Sequence, residues 1–98
     1  MTINEANKIC AEFMGNTDPI PSNIDELSDK QKRVYLPYMH SLDSLIPIWE
    51  KLNQFPNIYR YKSHYQVSMA ILGRYVVREI LTEACVLATA KAIKELKK

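Results

Sequence analysis

The sequence predicts an α+β fold: a small antiparallel sheet, made of a hairpin plus a third strand, covered by helices on both faces in a sandwich-like arrangement. Three observations lead to it. Apolar residues recur at helical spacing in three separate stretches. Between the second and third stretches the period drops to two. The hairpin that follows is apolar on both of its faces, and such a hairpin needs cover on both sides. The 98 residues, 47% hydrophobic and 24% charged, suit one domain spanning residues 1–98. A chain of this size buries roughly 65% of its unfolded surface, enough for one modest core.

The first helix is expected at about 3–14. Thr2 and Glu5 fit a capping box, in which side-chain oxygens accept from orphan backbone N–H groups. Ala6, Ile9, Cys10, Phe13 and Met14 line one face, and Gly15 supplies a left-handed end. Residues 16–40 read as a long loop rich in turn formers such as Asn16, Pro19, Pro21 and Asn23. Within it, Ile24 to Leu27 suits one helical turn, and Val34 to Met39 a short edge strand interrupted by Pro37. Its first half is acidic (Asp18, Asp25, Glu26, Asp29) and Lys30, Lys32 and Arg33 follow, the pattern of a solvated segment.

The second helix is expected at about 42–53, with Leu42, Leu45, Ile46, Trp49 and Leu52 as its stripe. If Ser44 is the N-cap, Pro47 falls in the first turn, where its missing N–H has no intrahelical partner to lose. A start at Ser41 would instead predict a kink there. Strands follow at about 58–63, 65–72 and 75–81. From Ile58, Tyr59, Tyr61 and Tyr65 alternate with Arg60, Lys62 and His64, so the tyrosines are expected to pack inward while the basic side chains stay solvated. Gly73-Arg74 reads as a two-residue type II′ turn. That register puts Val67, Met69, Ile71, Val76 and Ile80 on one face, and Ala70, Leu72, Tyr75, Val77 and Leu81 on the other. A continuous helix over 67–81 is disfavoured by Gly73 and by Val76-Val77. The last helix, about 83–97, has Thr82 as expected N-cap and lysines toward its end. Its small residues Ala84, Ala88, Ala90 and Ala92 predict a close approach to the sheet.

The residues offer little catalytic chemistry. No Gly-rich phosphate loop, HExxH or CxxC motif is present. Ser41 and Ser44 are explained as helix-start residues, and the adjacent His40 has no oxyanion hole to work with. Asp25, Glu26 and Asp29 lie in a polar segment with nothing to shift their protonation. Cys10, His40, His64 and Cys85 have the composition of a zinc site, but their separations of 30, 24 and 21 residues lack the local pairs that zinc motifs use. No catalytic residue, metal or cofactor is therefore assigned. With two cysteines, far apart, and an N-terminus (Met1 to Lys8) lacking an apolar stretch, the expected setting is a reducing cytoplasm without an export signal. No apolar run approaches membrane-spanning length.

The best contact candidates are Tyr59, Arg60, Tyr61 and Lys62, with Arg74 and Arg78. Interleaved basic and aromatic side chains can pair phosphates and stack bases. A net charge of +2 is small for a nucleic-acid binder, so that reading is the alternative and not the first choice.

Two segments carry a family likeness. Asn7-Lys8-Ile9-Cys10-Ala11-Glu12-Phe13-Met14-Gly15 resembles the NKxIAEFMG opening of many small phage- and prophage-encoded proteins. Ser41-Leu42-Asp43-Ser44-Leu45-Ile46-Pro47-Ile48-Trp49-Glu50-Lys51-Leu52 resembles their SWDWLMPVVEKI segment, with Leu42 and Ser44 in place of the two tryptophans and Ile46 in place of methionine. The C-terminal helix is similar in position. The chain thus resembles the phage ABA sandwich domain family. That resemblance implies a phage, prophage or mobile-element protein of the bacterial cytoplasm with no enzymatic activity. The expected role is an accessory protein acting through protein–protein interaction, either as a homo-oligomer or with a phage or host protein.

Overall fold

The computed structural model describes residues 1–15, 23, 26–28, 30, 31, 38 and 41–97. The elements run α1 (Ile3–Phe13), α2 (Ile46–Leu52), β1 (Asn57–Arg60), β2 (Tyr65–Ser68), β3 (Tyr75–Arg78) and α3 (Leu81–Leu96). The three strands form one antiparallel sheet in the order β1-β2-β3. This is the α+β class that the hydrophobic periods predict, with helices packed against an antiparallel sheet.

The layering differs from the expectation in one respect. α3 packs on β2 and β3 with one side and on α1 with the other, and α2 also reaches it. It is therefore the middle layer, buried through Ala84, Cys85, Val86, Leu87, Ala88, Thr89, Ala90, Ala92 and Ile93. The expected helical cover on both sheet faces is corrected: among the described residues the helices stack on one face only. The paired residues Ile58, Val67 and Val76 share the helix-covered face, while Tyr59, Gln66 and Val77 share the open one. Val67 is sealed and Val76 nearly so, whereas Tyr59 and Val77 are about half exposed, at 46% and 51%.

Local chemistry explains where each element starts and stops. Thr2 Oγ1 accepts from the Glu5 N–H (3.1 Å), the expected cap of α1. Gly15, at φ +81°, turns the chain out of that helix. α2 starts later than the expected 42–53. Residues 42–45 form a turn, closed by the Leu45 N–H on the Leu42 carbonyl (2.9 Å). Leu45 is the N-cap and Pro47 lies in the first turn, where it removes no helical bond. Asn53, in the left-handed region at φ 56°, ends the helix. α3 begins at Leu81, not after a Thr82 cap, and Ile80 makes no side-chain cap bond. The partly buried Leu81 packs against the core, and that burial outweighs the hydroxyl cap.

The strands are shorter than the expected 58–63, 65–72 and 75–81. β1 and β2 reverse at Lys62-Ser63, with the Tyr61 N–H donating to the His64 carbonyl (2.9 Å). Alternation counted along the chain runs through this reversal without registering it. Tyr65 therefore stands opposite Arg60, on the same face, and not beside Tyr59. The two-residue turn at Gly73-Arg74 is also corrected. Ser68 pairs with Tyr75, so residues 69–74 connect β2 to β3. The Leu72 N–H bonds the Met69 carbonyl (2.9 Å), and Gly73 then reverses the chain at φ +64°. Relative to the tight hairpin the register slips by four residues, an even number, so Val67, Met69 and Val76 keep their expected face. Ile71 and Leu72 turn onto the core, and Gln54 Oε1 accepts the Ile71 N–H (3.3 Å) that left the ladder.

Three polar contacts tie the helical layers. Trp49 Nε1–H donates to Thr89 Oγ1 (2.9 Å), and the Thr89 hydroxyl donates to the Cys85 carbonyl one turn earlier (2.7 Å). Asn7, fully buried, accepts the Tyr38 N–H on Oδ1 (3.0 Å). Lys51 Nζ donates to the Phe13 carbonyl (2.7 Å) and lies 4.6 Å from the centroid of the Phe13 ring. Most of the expected 16–40 loop, including the proposed strand at Val34 to Met39 apart from Tyr38, lies outside the described residues.

The Trp49–Thr89 contact is testable. Thr89→Val keeps the shape of the side chain but leaves the buried indole N–H without its acceptor. The expected loss is about 1–3 kcal/mol in a denaturant titration followed by fluorescence of the single tryptophan.

Candidate functional site

The contact candidates divide between the two ends and the two faces of the sheet. β1 and β2 are joined by the Lys62-Ser63 tip, and β3 ends beside that tip, which brings Arg60, Tyr65 and Arg78 into one cross-strand row. All three point to the helix-covered side, at its margin. Arg74 lies at the opposite end, by Asn57 and Ser68. Four residues at about 3.4 Å each put Arg74, just before β3, roughly 14 Å from Arg78. The six contact candidates therefore do not form one patch.

The tip is a shallow, mixed-charge surface. Arg60, Tyr61, Lys62, His64 and Glu79 line one shallow concavity. His64, Arg78, Glu79 and Glu83 line its neighbour. The Tyr61 and His64 rings stack with centroids 4.8 Å apart and planes 12° from parallel, a contact made possible by the reversal between them. Glu79 and Glu83 interrupt the cations, so the field here is not the continuous basic stripe that tracks a nucleic-acid backbone.

The open face has a different character. Tyr59 on β1 and Tyr75 on β3 reach toward each other across β2, with ring centroids 5.9 Å apart and planes at 75°. Beside them stands Val77, and Tyr75 and Val77 are 55% and 51% exposed. The expectation that the tyrosines pack inward is corrected: Tyr59 and Tyr61 are both about half exposed, at 46% and 49%. Strand alternation gave two candidate faces for these rings, and only the position of α3 decides which is covered. The Tyr59–Tyr75 pair was not legible in sequence because the two residues are 16 positions apart and meet through the four-residue shift in register.

Among the described residues, the groups that suggest chemistry in the sequence do not converge. Cys10 and Cys85 are free and fully buried. Burial pushes their thiols up to about 12 and about 11. A protonated, inaccessible thiol is neither a nucleophile nor a ready metal ligand. His64 stands at the exposed tip, stacked on Tyr61, and not in the core that holds the two thiols. Among the described residues no group of three or more His, Cys, Asp or Glu is placed to hold a metal ion. His40, Asp18, Asp25, Asp29, Lys32 and Arg33 lie outside the described residues. Among the described residues no helix is long and apolar enough to cross a membrane.

Comparison with known proteins adds no family: no family model, curated protein or solved structure matches the chain.

The thiols set an alkaline limit on stability. Both are raised above the ordinary value of 9.0, so the folded state holds its protons more tightly than the unfolded chain. Their contribution is complete below about pH 9 and is lost as pH rises toward 11–12. Denaturation midpoints taken between pH 8 and 11 should fall, and Cys10→Ala should flatten that fall relative to its own value at pH 8. In native buffer neither thiol should react with an aromatic disulfide reagent until denaturant is added.

Proposed function

We propose that this chain is a non-enzymatic accessory protein that works by protein–protein contact, with the open sheet face as its contact surface. The single observation that carries the reading is the exposed trio Tyr59, Tyr75 and Val77 on the face opposite α3. An aromatic-rich apolar face on a small domain is the usual composition of a contact centre. Tyrosine suits it because its ring supplies contact area while its hydroxyl stays wet. The phage or mobile-element origin, and with it the bacterial cytoplasm, rests on the resemblance of residues 7–15 and 41–52. The non-enzymatic part is supported by the two thiols being sealed in the core and by the open, mixed-charge character of the tip.

Binding of single-stranded nucleic acid is the second reading, favoured by the same exposed rings, on which bases could stack. The placement of charge weighs against it. Arg60 and Arg78 share the helix-covered side, away from Tyr59 and Tyr75.

A photo-crosslinking residue placed at Tyr75 or Val77, in the cells that naturally express the chain, should give protein adducts. The same residue at the exposed Lys94 on α3 should not. Tyr75→Ser and Val77→Lys should abolish the contact, with Val77→Lys within about 0.5 kcal/mol of the parent in stability and Tyr75→Ser losing about 0.5–1.5 kcal/mol with its Tyr59 ring contact. No protein adduct, together with salt-sensitive binding of labelled single-stranded DNA that Tyr75→Ser removes, would transfer the site to the second reading.

A further inference from the structure

We infer that β1 is the edge on which a second copy of this chain extends the sheet, antiparallel across a twofold axis, with Tyr59 of each copy opposite Tyr59 of the other. The inference rests on the protein-contact reading above and adds a second copy of the chain at the margin where Tyr59 borders the open face.

β1 is the bare margin of the sheet. α3 packs on β2 and β3, and the row Ile58–Val67–Val76 ends uncovered at Ile58, which is 42% exposed while Val67 is sealed. Every residue of β1 is exposed. Its hydrogen-bonding phase is fixed by the Tyr61 N–H bond to the His64 carbonyl. In an antiparallel ladder the bonding direction alternates, so Tyr59 and Asn57 face β2. The N–H and C=O groups of Ile58 and Arg60 are left pointing outward.

A twofold axis perpendicular to the sheet keeps the helix-covered faces of both copies on one side. It also requires outward residues to oppose outward residues. Three registers satisfy this over so short a strand. With Ile58 opposite Ile58, the next pair sets Arg60 against Pro56, which has no N–H to donate. With Arg60 opposite Arg60, like charges meet directly, which is destabilising. The register between them sets Ile58 against Arg60 twice and satisfies all four outward N–H and C=O pairs. It holds the two guanidinium groups at opposite ends of the strand pair, each with its aliphatic stem along Ile58. It also places Tyr59 beside Tyr59 in a close, non-hydrogen-bonded pair, with Cα atoms about 4.5 Å apart. The ring contact between Tyr59 and Tyr75 then continues through the axis as a row of four tyrosines on the open face. Proline and charge thus leave one register, and a surface that fits itself in one register closes into a pair instead of growing as a fibre. Four residues of edge fall well short of the roughly 1,200 Å² of a stable complex, so the pair is transient and concentration-dependent.

Sedimentation of the purified full chain over a concentration series should show a reversible monomer–dimer equilibrium. Ile58→Pro, which removes only an outward N–H and leaves the β1–β2 ladder intact, should hold the protein monomeric with an unchanged circular dichroism spectrum. Under mild oxidation Tyr59→Cys should form a disulfide dimer on the order of tenfold faster than Ile58→Cys, whose diagonal Cα separation of about 7–8 Å exceeds disulfide reach. Val77→Cys, on the β3 edge, should be as slow as Ile58→Cys. Wild-type protein, with Cys10 and Cys85 buried, is the control and should give no dimer. A monomer at every concentration, or equal dimer formation from the three cysteine variants, would overturn self-pairing at β1. A monomeric chain that still crosslinks a protein through Tyr75 in cells would remove this inference and leave the contact-surface reading standing. Loss of both would remove both.

Discussion

The fold depends on α3 being buried from several directions at once. The sheet lies against one side of the helix, α1 against another, and α2 touches it as well. Such a position suits a helix whose side chains are small where neighbours approach. Ala84, Ala88, Ala90 and Ala92 are all completely buried, and they let backbones come close without leaving voids. A larger side chain at any of them would be overpacked, a change that typically destabilises a tight core. Glu83 lies in the first turn of α3 and Lys94 in the last, where both suit the helix dipole.

A helix that is apolar nearly all round has no amphipathic stripe to fix its rotation. Polar contacts supply that information here. Thr89 is the one polar residue among the buried residues of α3. Its hydroxyl satisfies the Cys85 carbonyl and receives the Trp49 indole, so each group is paired and the α2–α3 orientation is set by a directional bond. Asn7 does a similar task on α1 by accepting a backbone N–H from Tyr38. Lys51 closes the arrangement at the surface by bonding the C-terminal end of α1.

With its helices stacked on one side, the sheet keeps one open face and a bare β1 edge. The aromatic pair on the open face, and Ile58 and Tyr59 on opposite sides of the β1 edge, are what the proposed protein contact rests on. Among the described residues, Arg60 and Arg78 share one side of the sheet and Arg74 lies at its opposite end. Among the described residues, the two thiols are sealed in the core and His64 stands at the tip of the sheet.

Much of the fold was legible in the sequence because local rules and burial agree there. Thr2, Gly15 and the stripe of α1 are where periodicity and capping put them, and Pro47 sits in a first turn because only there is its missing N–H harmless. The faces of β2 and β3 were also determined, since a slip of four residues preserves the parity of side-chain direction. Tertiary structure decided what parity and period cannot encode. It placed the β1–β2 reversal that sets Tyr65 beside Arg60, and it drew Leu81 into α3 ahead of the Thr82 cap. Above all it chose which apolar surfaces meet. A sequence shows that a helix and a hairpin each need cover on more than one side. Here the helix takes its second cover from α1, and the sheet is left with the open face on which Tyr59 and Tyr75 meet.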